Sequence, residues 1–200
     1  MCINLIKRKG ILFVLSGPSG VGKGTVKEAL LKTMDDICLS VSATTRKPRS
    51  NEVHSKDYFF VDLKEFQEMI DNNKLLEWAQ VYSNWYGTPR HFVLEHLQKG
   101  CDVLLEIDIQ GAMQVKNKMP EAIFIFLAPP DLNELARRLC SRGEDSQESI
   151  DLRLATCEAE MAHIKYYDYL VVNNDVNEAL EKVRSIIQAE RCSLNNIIVG

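Results

Sequence analysis

Five apolar residues, Ile11 to Leu15, run almost directly into Gly17-Pro18-Ser19-Gly20-Val21-Gly22-Lys23. A short continuous apolar run that ends in a glycine-rich turn has the character of a buried strand. The turn fits the spacing G-x-x-x-x-G-K, in which glycines let backbone N–H groups face inward around a chain of phosphates. The lysine and the N-terminus of the following helix supply positive charge. Strand, loop and helix come in the order this mechanism requires, so Gly17 to Thr25 is expected to hold phosphate. Gly24 stands where the strict pattern has a Ser or Thr for magnesium, with Thr25 one place later. No protein ligand for a metal is therefore assigned.

Further apolar runs recur at Val103–Ile107, Ile123–Leu127 and Tyr169–Val172. They do not alternate with polar residues, which predicts a parallel sheet covered on both faces. Between them, Val21–Met34, Pro89–Lys99, Leu132–Arg142, Ser149–His163 and Val176–Arg191 carry apolar residues at three and four spacing, as helices do. Strand and helix thus alternate in the α/β manner. Asp62-x-x-Glu65, Asp131-x-x-Glu134 and Asp175-x-x-Glu178 each read as a reciprocal cap at a helix start. From Ser40 to Gly87 the pattern changes: Asp57–Val61 and Leu75–Tyr82 read as short, half-exposed strands around one helix, an inserted lobe. Arg142-Gly143-Glu144-Asp145-Ser146 separates two helices with polar residues and is read as the tip of a lid.

Composition narrows the class. At 200 residues, 46% hydrophobic and 26% charged, the chain has the makeup of a single globular domain. A formal net charge of -4 gives it no overall attraction for a nucleic-acid polymer or an acidic membrane, so any anion must be gripped locally. The six cysteines are far apart, with no C-x-x-C pair and no histidine at zinc-ligand spacing, which suits reduced thiols rather than a metal or redox centre. Cys140 is expected to be an inert packed thiol. The first ten residues lack the apolar core of a secretory signal, and no apolar run approaches a membrane span, so the expected location is the cytoplasm.

Ser40 to Arg49 is rich in hydroxyls and closes with Arg46, Lys47 and Arg49. Guanidinium forks with hydroxyls suit a second phosphate and a polar ring edge, and a water-facing basic loop is the simpler alternative. With that segment, the phosphate loop, Tyr58, Glu77-Trp78-Ala79, Tyr86-Gly87-Thr88, Glu106 to Gly111 and Arg138 to Arg142 taken in order, the chain resembles guanylate kinase, a nucleoside monophosphate kinase of the P-loop class. The likeness runs from Ile11 to Arg191.

The resemblance implies an α/β fold: a P-loop parallel sheet flanked by helices, an inserted mixed α+β GMP-binding lobe and a helical lid. Within one domain it implies a core over about 10–40, 89–130 and 164–192, a lobe over about 41–88 and a lid over about 131–163. It implies that Gly17, Pro18, Ser19, Gly20, Val21, Gly22, Lys23, Gly24 and Thr25 cradle ATP with its Mg²⁺, and that Asn173 lies near the adenine. Arg46, Arg49, Tyr58 and Tyr86 would hold the GMP phosphate. Glu77, with Ser42 and Thr88, would read guanine, Asp108 lying nearby with Glu106 at a second acidic position. For Glu77 the chemistry agrees, because an ionised carboxylate accepts from guanine N1–H and N2–H₂ together, whereas adenine offers an acceptor at N1. Lys23, Arg46 and the lid arginines Arg138, Arg142 and Arg153 would stabilise the transferring phosphoryl group. The implied activity is Mg-ATP-dependent phosphorylation of GMP, and of dGMP, in purine metabolism, by a monomer or homodimer. Two alternatives stand beside it: a catalytically inactive guanylate-kinase-like interaction module, and a kinase for a different nucleoside monophosphate.

Overall fold

The apolar runs become neighbouring strands in the computed structural model, which describes residues 6–81, 83–141 and 147–199. The chain opens with β1 (Ile6–Arg8), β2 (Leu12–Ser16), α1 (Lys23–Thr33) and β3 (Ile37–Leu39). An excursion follows through β4 (Ala43–Thr44), β5 (Phe59–Phe60), α2 (Leu63–Asp71), β6 (Leu75–Val81) and β7 (Asn84–Pro89). It returns by α3 (Arg90–Gln98), β8 (Asp102–Glu106), α4 (Ile109–Lys118) and β9 (Ile123–Ala128). Then come α5 (Leu132–Ser141), α6 (Gln147–Met161), β10 (Tyr169–Val172), α7 (Val176–Arg191) and β11 (Ile197–Val199).

The central sheet has the order β10-β9-β2-β8-β3 and every neighbouring pair in it is parallel. One face packs Phe13, Leu15, Leu104, Ile125 and Leu127 against Val26 and Leu30 of α1 and Ala179, Val183 and Ile187 of α7. The other packs Leu12, Val14, Val103, Leu105 and Phe124 against Val93 of α3 and Ala112 and Val115 of α4. Residues of both parities along a strand therefore meet apolar neighbours, which is why the runs do not alternate. Each such side chain contributes about 1.5–3 kcal/mol on burial. The run Tyr169–Val172 departs from the expectation. As β10 it is the edge strand, and although Val171 is buried, Leu170 and Val172 are 52% and 38% exposed. A strand with one covered face can still be apolar throughout.

Helix limits follow their caps. Asp62, Asp131 and Asp175 accept backbone N–H bonds from Glu65, Glu134 and Glu178 at 2.7, 2.8 and 3.2 Å. In the second of these the Glu134 carboxylate turns to Arg137 and Arg138, at 2.9 and 2.7 Å, rather than back to the cap. The sequence reading missed α4, where Gly111 in the first turn weakens the helical pattern; its cap is Asp108, which accepts from Gly111 N–H at 2.7 Å. It also missed the short strands β1, β3, β4, β7 and β11. Cys140 is exposed on α5, and the packed thiol of this helix pair is Cys157, buried with Leu135. Tyr82, Arg142 and the proposed lid tip 142–146 lie outside the described residues, as does the side chain of Arg153. Among the described residues no helix is long and apolar enough to cross a membrane.

The inserted segment makes its own sheet, β5-β4-β7-β6, mixed in direction, over a core of Ala43, Phe66 and Leu75 with Trp78 and Trp85 beside it. Its pairing slips between Leu75 and Trp78. There α4 takes hold: Gln114 accepts from Trp78 N–H at 3.1 Å and donates to Trp78 carbonyl at 2.8 Å, and Lys118 donates to Leu75 carbonyl at 3.0 Å. The irregular stretch of β6 that carries Glu77 is thus pinned to a helix of the central sheet.

At the opposite end, the fully buried Asp102 carboxylate gathers Arg8, the Ile11 N–H at 2.9 Å and Arg191 Nε at 2.7 Å, and Arg191 also reaches Asp36 at 2.7 Å. This network joins the β1–β11 ribbon, the start of β2 and the end of α7. Removing one member of a buried ion network leaves the others uncompensated. Asp102→Asn is expected to lower unfolding stability by about 3 kcal/mol in urea denaturation. A change below about 1 kcal/mol would mean that water already screens the cluster.

Candidate functional site

β2 is the point where the sheet order reverses. The chain leaves it through α1 for β3 on one side, and later reaches β9 on the other. In open α/β sheets ligands bind outside the carboxyl ends of strands at such a point. Gly17 to Gly22 lies there. Gly17, Gly20 and Gly22 have φ of 148°, 86° and 96°. At Gly22 the requirement is double: the backbone is left-handed, and a Cβ would sit 2.7 Å from Asn173 Nδ2. Whereas α2, α4, α5 and α7 each begin on an aspartate cap, α1 begins on Gly22 with no side-chain cap and no acid in its first turn. Its leading N–H groups and dipole therefore suit an external anion. Lys23 folds over the loop, donating to Gly17 carbonyl at 2.6 Å and Pro18 carbonyl at 3.0 Å.

The residue assigned to the adenine, Asn173, is buried behind this loop. It donates from Nδ2 to Val21 carbonyl at 2.8 Å, while its backbone N–H reaches Ala128 carbonyl at 2.8 Å. It braces the phosphate loop against the end of β9. Arg138, one of the expected lid arginines, reaches the same corner: it donates to Asn174 carbonyl at 3.1 Å and pairs with Glu134 at 2.7 Å. Glu160 of α6 stands at this loop: burial pushes its carboxyl up, and Lys23 opposes that shift, as does the Ser19 backbone. α6 thus lies beside the glycine-rich loop.

The basic loop is not simply solvated. Arg46 lies 5.4 Å from the Tyr58 ring centroid, has the Tyr86 phenol nearby, and pairs with Glu52 through two bonds of 2.9 and 2.7 Å. The Tyr58 and Tyr86 rings are 6.1 Å apart. Arg49 N–H donates to Glu52 at 2.8 Å. The Arg46 pairing, with the Arg49 amide, holds Glu52 down to about 2. Ser55, whose N–H bonds the Tyr58 carbonyl at 2.9 Å, has φ of 67°, the left-handed conformation that favours glycine.

Between these phosphate-seeking groups lies a pocket lined by Ser42, Tyr58, Thr88, Lys27 and Glu106, among others. Deeper in, Glu77 is 6% exposed, not the surface acid that an isolated strand residue would be. Thr88 donates to it at 2.6 Å. Burial pushes Glu77 up to about 7; the Thr88 bond opposes the shift and the charge of Asp108 adds to it. A Cβ at Gly111 would stand 2.8 Å from Glu77 Oε2, so a larger residue there would push this carboxylate from its place.

Sequence reasoning left out Lys27, Glu52 and Gln114. Lys27 follows Lys23 by one helical turn and pairs with Glu106 at 2.9 Å. Its signal was the i, i+4 spacing, and for Glu52 it was an acid beside three cations. Gln114 had none, since its partner is backbone.

The comparisons agree with this architecture. Residues 9–190 match the family model described as guanylate kinase. The guanylate kinase of Syntrophomonas wolfei is 65% identical over 192 residues, covering 96% of this chain and 98% of that protein. That of Caldanaerobacter subterraneus is 50% identical, covering 95% and 92%. The crystal structure of guanylate kinase from Anaplasma phagocytophilum superposes with a TM-score of 0.77 at 36% identity, over 96% of this chain and 92% of that one. The family model and these relatives match nearly the whole chain, in sequence and in fold, and this chain belongs to the guanylate kinase family.

Proposed function

We propose that this protein transfers the γ-phosphoryl group of ATP to GMP, giving ADP and GDP. The single observation that carries the reading is Glu77: a buried carboxylate that accepts a bond from Thr88, a residue of the pocket that Ser42 and Tyr58 also line. A guanine presents N1–H and N2–H₂ to such a group and O6 to a hydroxyl such as that of Ser42, the Thr88 hydrogen being given to Glu77 already. An adenine would leave the buried acid without donors, at a cost of about 1–3 kcal/mol or more. The curated relatives named above are guanylate kinases, which favours neither an inactive module nor a different acceptor.

A GMP phosphate oxygen attacks the γ-phosphorus in line, forming one P–O bond as the bond to the β–γ bridging oxygen breaks, with no covalent enzyme intermediate. The protein contributes position and positive charge. Loop N–H groups and Lys23 hold the ATP phosphates, Arg46, Arg49, Tyr58 and Tyr86 orient the acceptor phosphate, and Arg138, Arg142 and Arg153 close over the transferred group. Asp108 supports the base end of the site.

The residues present fit Mg²⁺. A Cβ at Gly24 would lie 3.9 Å from Glu106 Oε1, so the carboxylate reaches the place where a Ser or Thr hydroxyl would project. Glu106 and Thr25 offer hard oxygen atoms to an ion held chiefly by phosphates. Bound there with ATP, the ion would neutralise charge on the β- and γ-oxygens. The setting proposed is the cytoplasm and purine nucleotide supply.

Lys23→Ala is expected to abolish turnover while GMP affinity, measured by calorimetry, stays within about threefold, since the lysine serves the other substrate. Equal loss of both would argue against separate sites. Glu77→Gln should narrow the preference for GMP over AMP in an acceptor panel with Mg-ATP, because the amide presents a donor where guanine also donates. The pH effect follows from Glu77 near 7. Base recognition needs the ionised form, so affinity is retained above that value and lost below it. Guanosine, which has no titrating phosphate, should bind about tenfold more weakly at pH 6 than at pH 8, and Glu77→Gln should flatten that slope.

A further inference from the structure

Glu52 takes one specific edge of the Arg46 guanidinium. Its Oε2 accepts from Nη1 at 2.9 Å and its Oε1 from Nη2 at 2.7 Å, the end-on fork of the group. The other hydrogen of Nη1 goes to Lys47 carbonyl at 2.9 Å. Three of the five N–H donors are thereby committed on one side. The two left to place, Nε–H and the outer hydrogen of Nη2, form the side-on fork, a second bidentate face. Stacking fixes the plane further: the Arg46 guanidinium carbon stands 5.4 Å from the Tyr58 ring centroid and 5.9 Å from that of Phe60. Glu52 also accepts the Arg49 N–H at 2.8 Å, and its own N–H donates to Arg49 carbonyl at 3.1 Å, so one acid shapes the turn that carries both arginines.

We propose that Glu52 is a positioning residue for acceptor-phosphate recognition: it occupies the end-on fork of Arg46 so that the side-on fork is presented to the nucleotide phosphate. The role rests on the GMP-kinase reading and adds to it a residue that need not touch substrate. An acid next to a phosphate site has an opposite possible role, as an internal competitor that the phosphate must displace. The committed geometry favours presentation, since Lys47 carbonyl and Glu52 leave a whole fork available without breaking either bond. Ionisation of Glu52 persists to about 2, so the arrangement stands across the working pH range.

The two roles predict opposite signs. GMP and guanosine are titrated calorimetrically into the full-length wild type and into Glu52→Gln, whose amide is isosteric but places donors against the guanidinium. With presentation lost, the dissociation constant for GMP is expected to rise about tenfold or more, with guanosine and ATP affinities unchanged. In steady state KM for GMP should rise more than kcat falls. GMP affinity that is unchanged or tighter overturns the proposal, the latter making Glu52 a competitor. Parallel losses for GMP, guanosine and ATP with a lowered melting temperature also overturn it, as a purely structural role. Should Glu52→Gln fail to fold, Glu52→Asp carries the test: it keeps the charge but is one methylene short of a bidentate reach. A smaller rise for GMP alone is expected, and the same contrary results count against it. The wild-type comparison is independent: if GMP binds no better than guanosine, the phosphate-site reading itself fails, whatever the variants do.

Discussion

The proposed chemistry depends on a glycine-rich loop held at the end of a strand that is buried on both faces. An anion-binding loop must keep its donors pointed at empty space, yet it can do so only if the surrounding chain cannot relax onto them. β2 meets the second condition because α1 and α7 cover one face and α3 and α4 the other. Asn173 completes the backing by holding Val21 carbonyl from behind, and it stands so close that Gly22 admits no side chain. The absence of an aspartate cap on α1, when four other helices carry one, is the same requirement seen from the helix side. A cap there would satisfy internally the donors that the loop exists to offer.

A second constraint is charge. The protein is acidic overall, with a formal net charge of -4, and its proposed substrates are two polyanions brought face to face. Repulsion among clustered cations would splay such a site when empty. The structure answers by giving four of them a local acceptor: carbonyls for Lys23, Glu52 for Arg46, Glu134 for Arg138 and Glu106 for Lys27. These partners differ in kind. Carbonyl contacts such as those of Lys23 are exchanged readily for a phosphate, whereas a two-bond carboxylate fork is not. The distinction separates a side chain that swings onto its substrate from one whose orientation is set beforehand. It is also why net charge, which speaks against a nucleic-acid polymer, has no bearing on a nucleotide.

Sequence made the sheet legible because a parallel strand covered on both faces leaves a pattern independent of its neighbours. Four of its five strands are apolar runs, and three helix starts are marked by Asp-x-x-Glu. β3 escaped notice since Ile37–Leu39 is three residues long, and β1 and β11 since their pairing is with each other across the whole chain. The proposed ligand-facing residues were picked out through family likeness. The residues that hold them, Gln114 on Trp78 and Glu52 on Arg46, act through backbone or through another side chain and carry no local pattern. Glu77 marks the boundary: its chemistry was readable as a residue type, but its burial depends on α4, an element that Gly111 in its first turn kept hidden.

That same glycine lets the carboxylate keep its buried position against α4. Glu77 Oε2 lies where a Gly111 side chain would begin, and Asp108, which caps α4 at Gly111, adds its charge to the desolvation that pushes Glu77 up. An acid held in this way is costly to ionise in the empty site, and it recovers that cost only when a ligand supplies donors to match. Selectivity then resides in the unfavourable state rather than in extra contacts to the favoured base. A ligand without donors at that edge meets a carboxylate it must either leave unpaired or protonate, and above pH 7, where Glu77 is ionised, both options weaken binding. The Gln114 clamp on Trp78 matters for the same reason: if β6 could slide, Glu77 would find water, its ionisation would cost little, and discrimination between bases would fall with it.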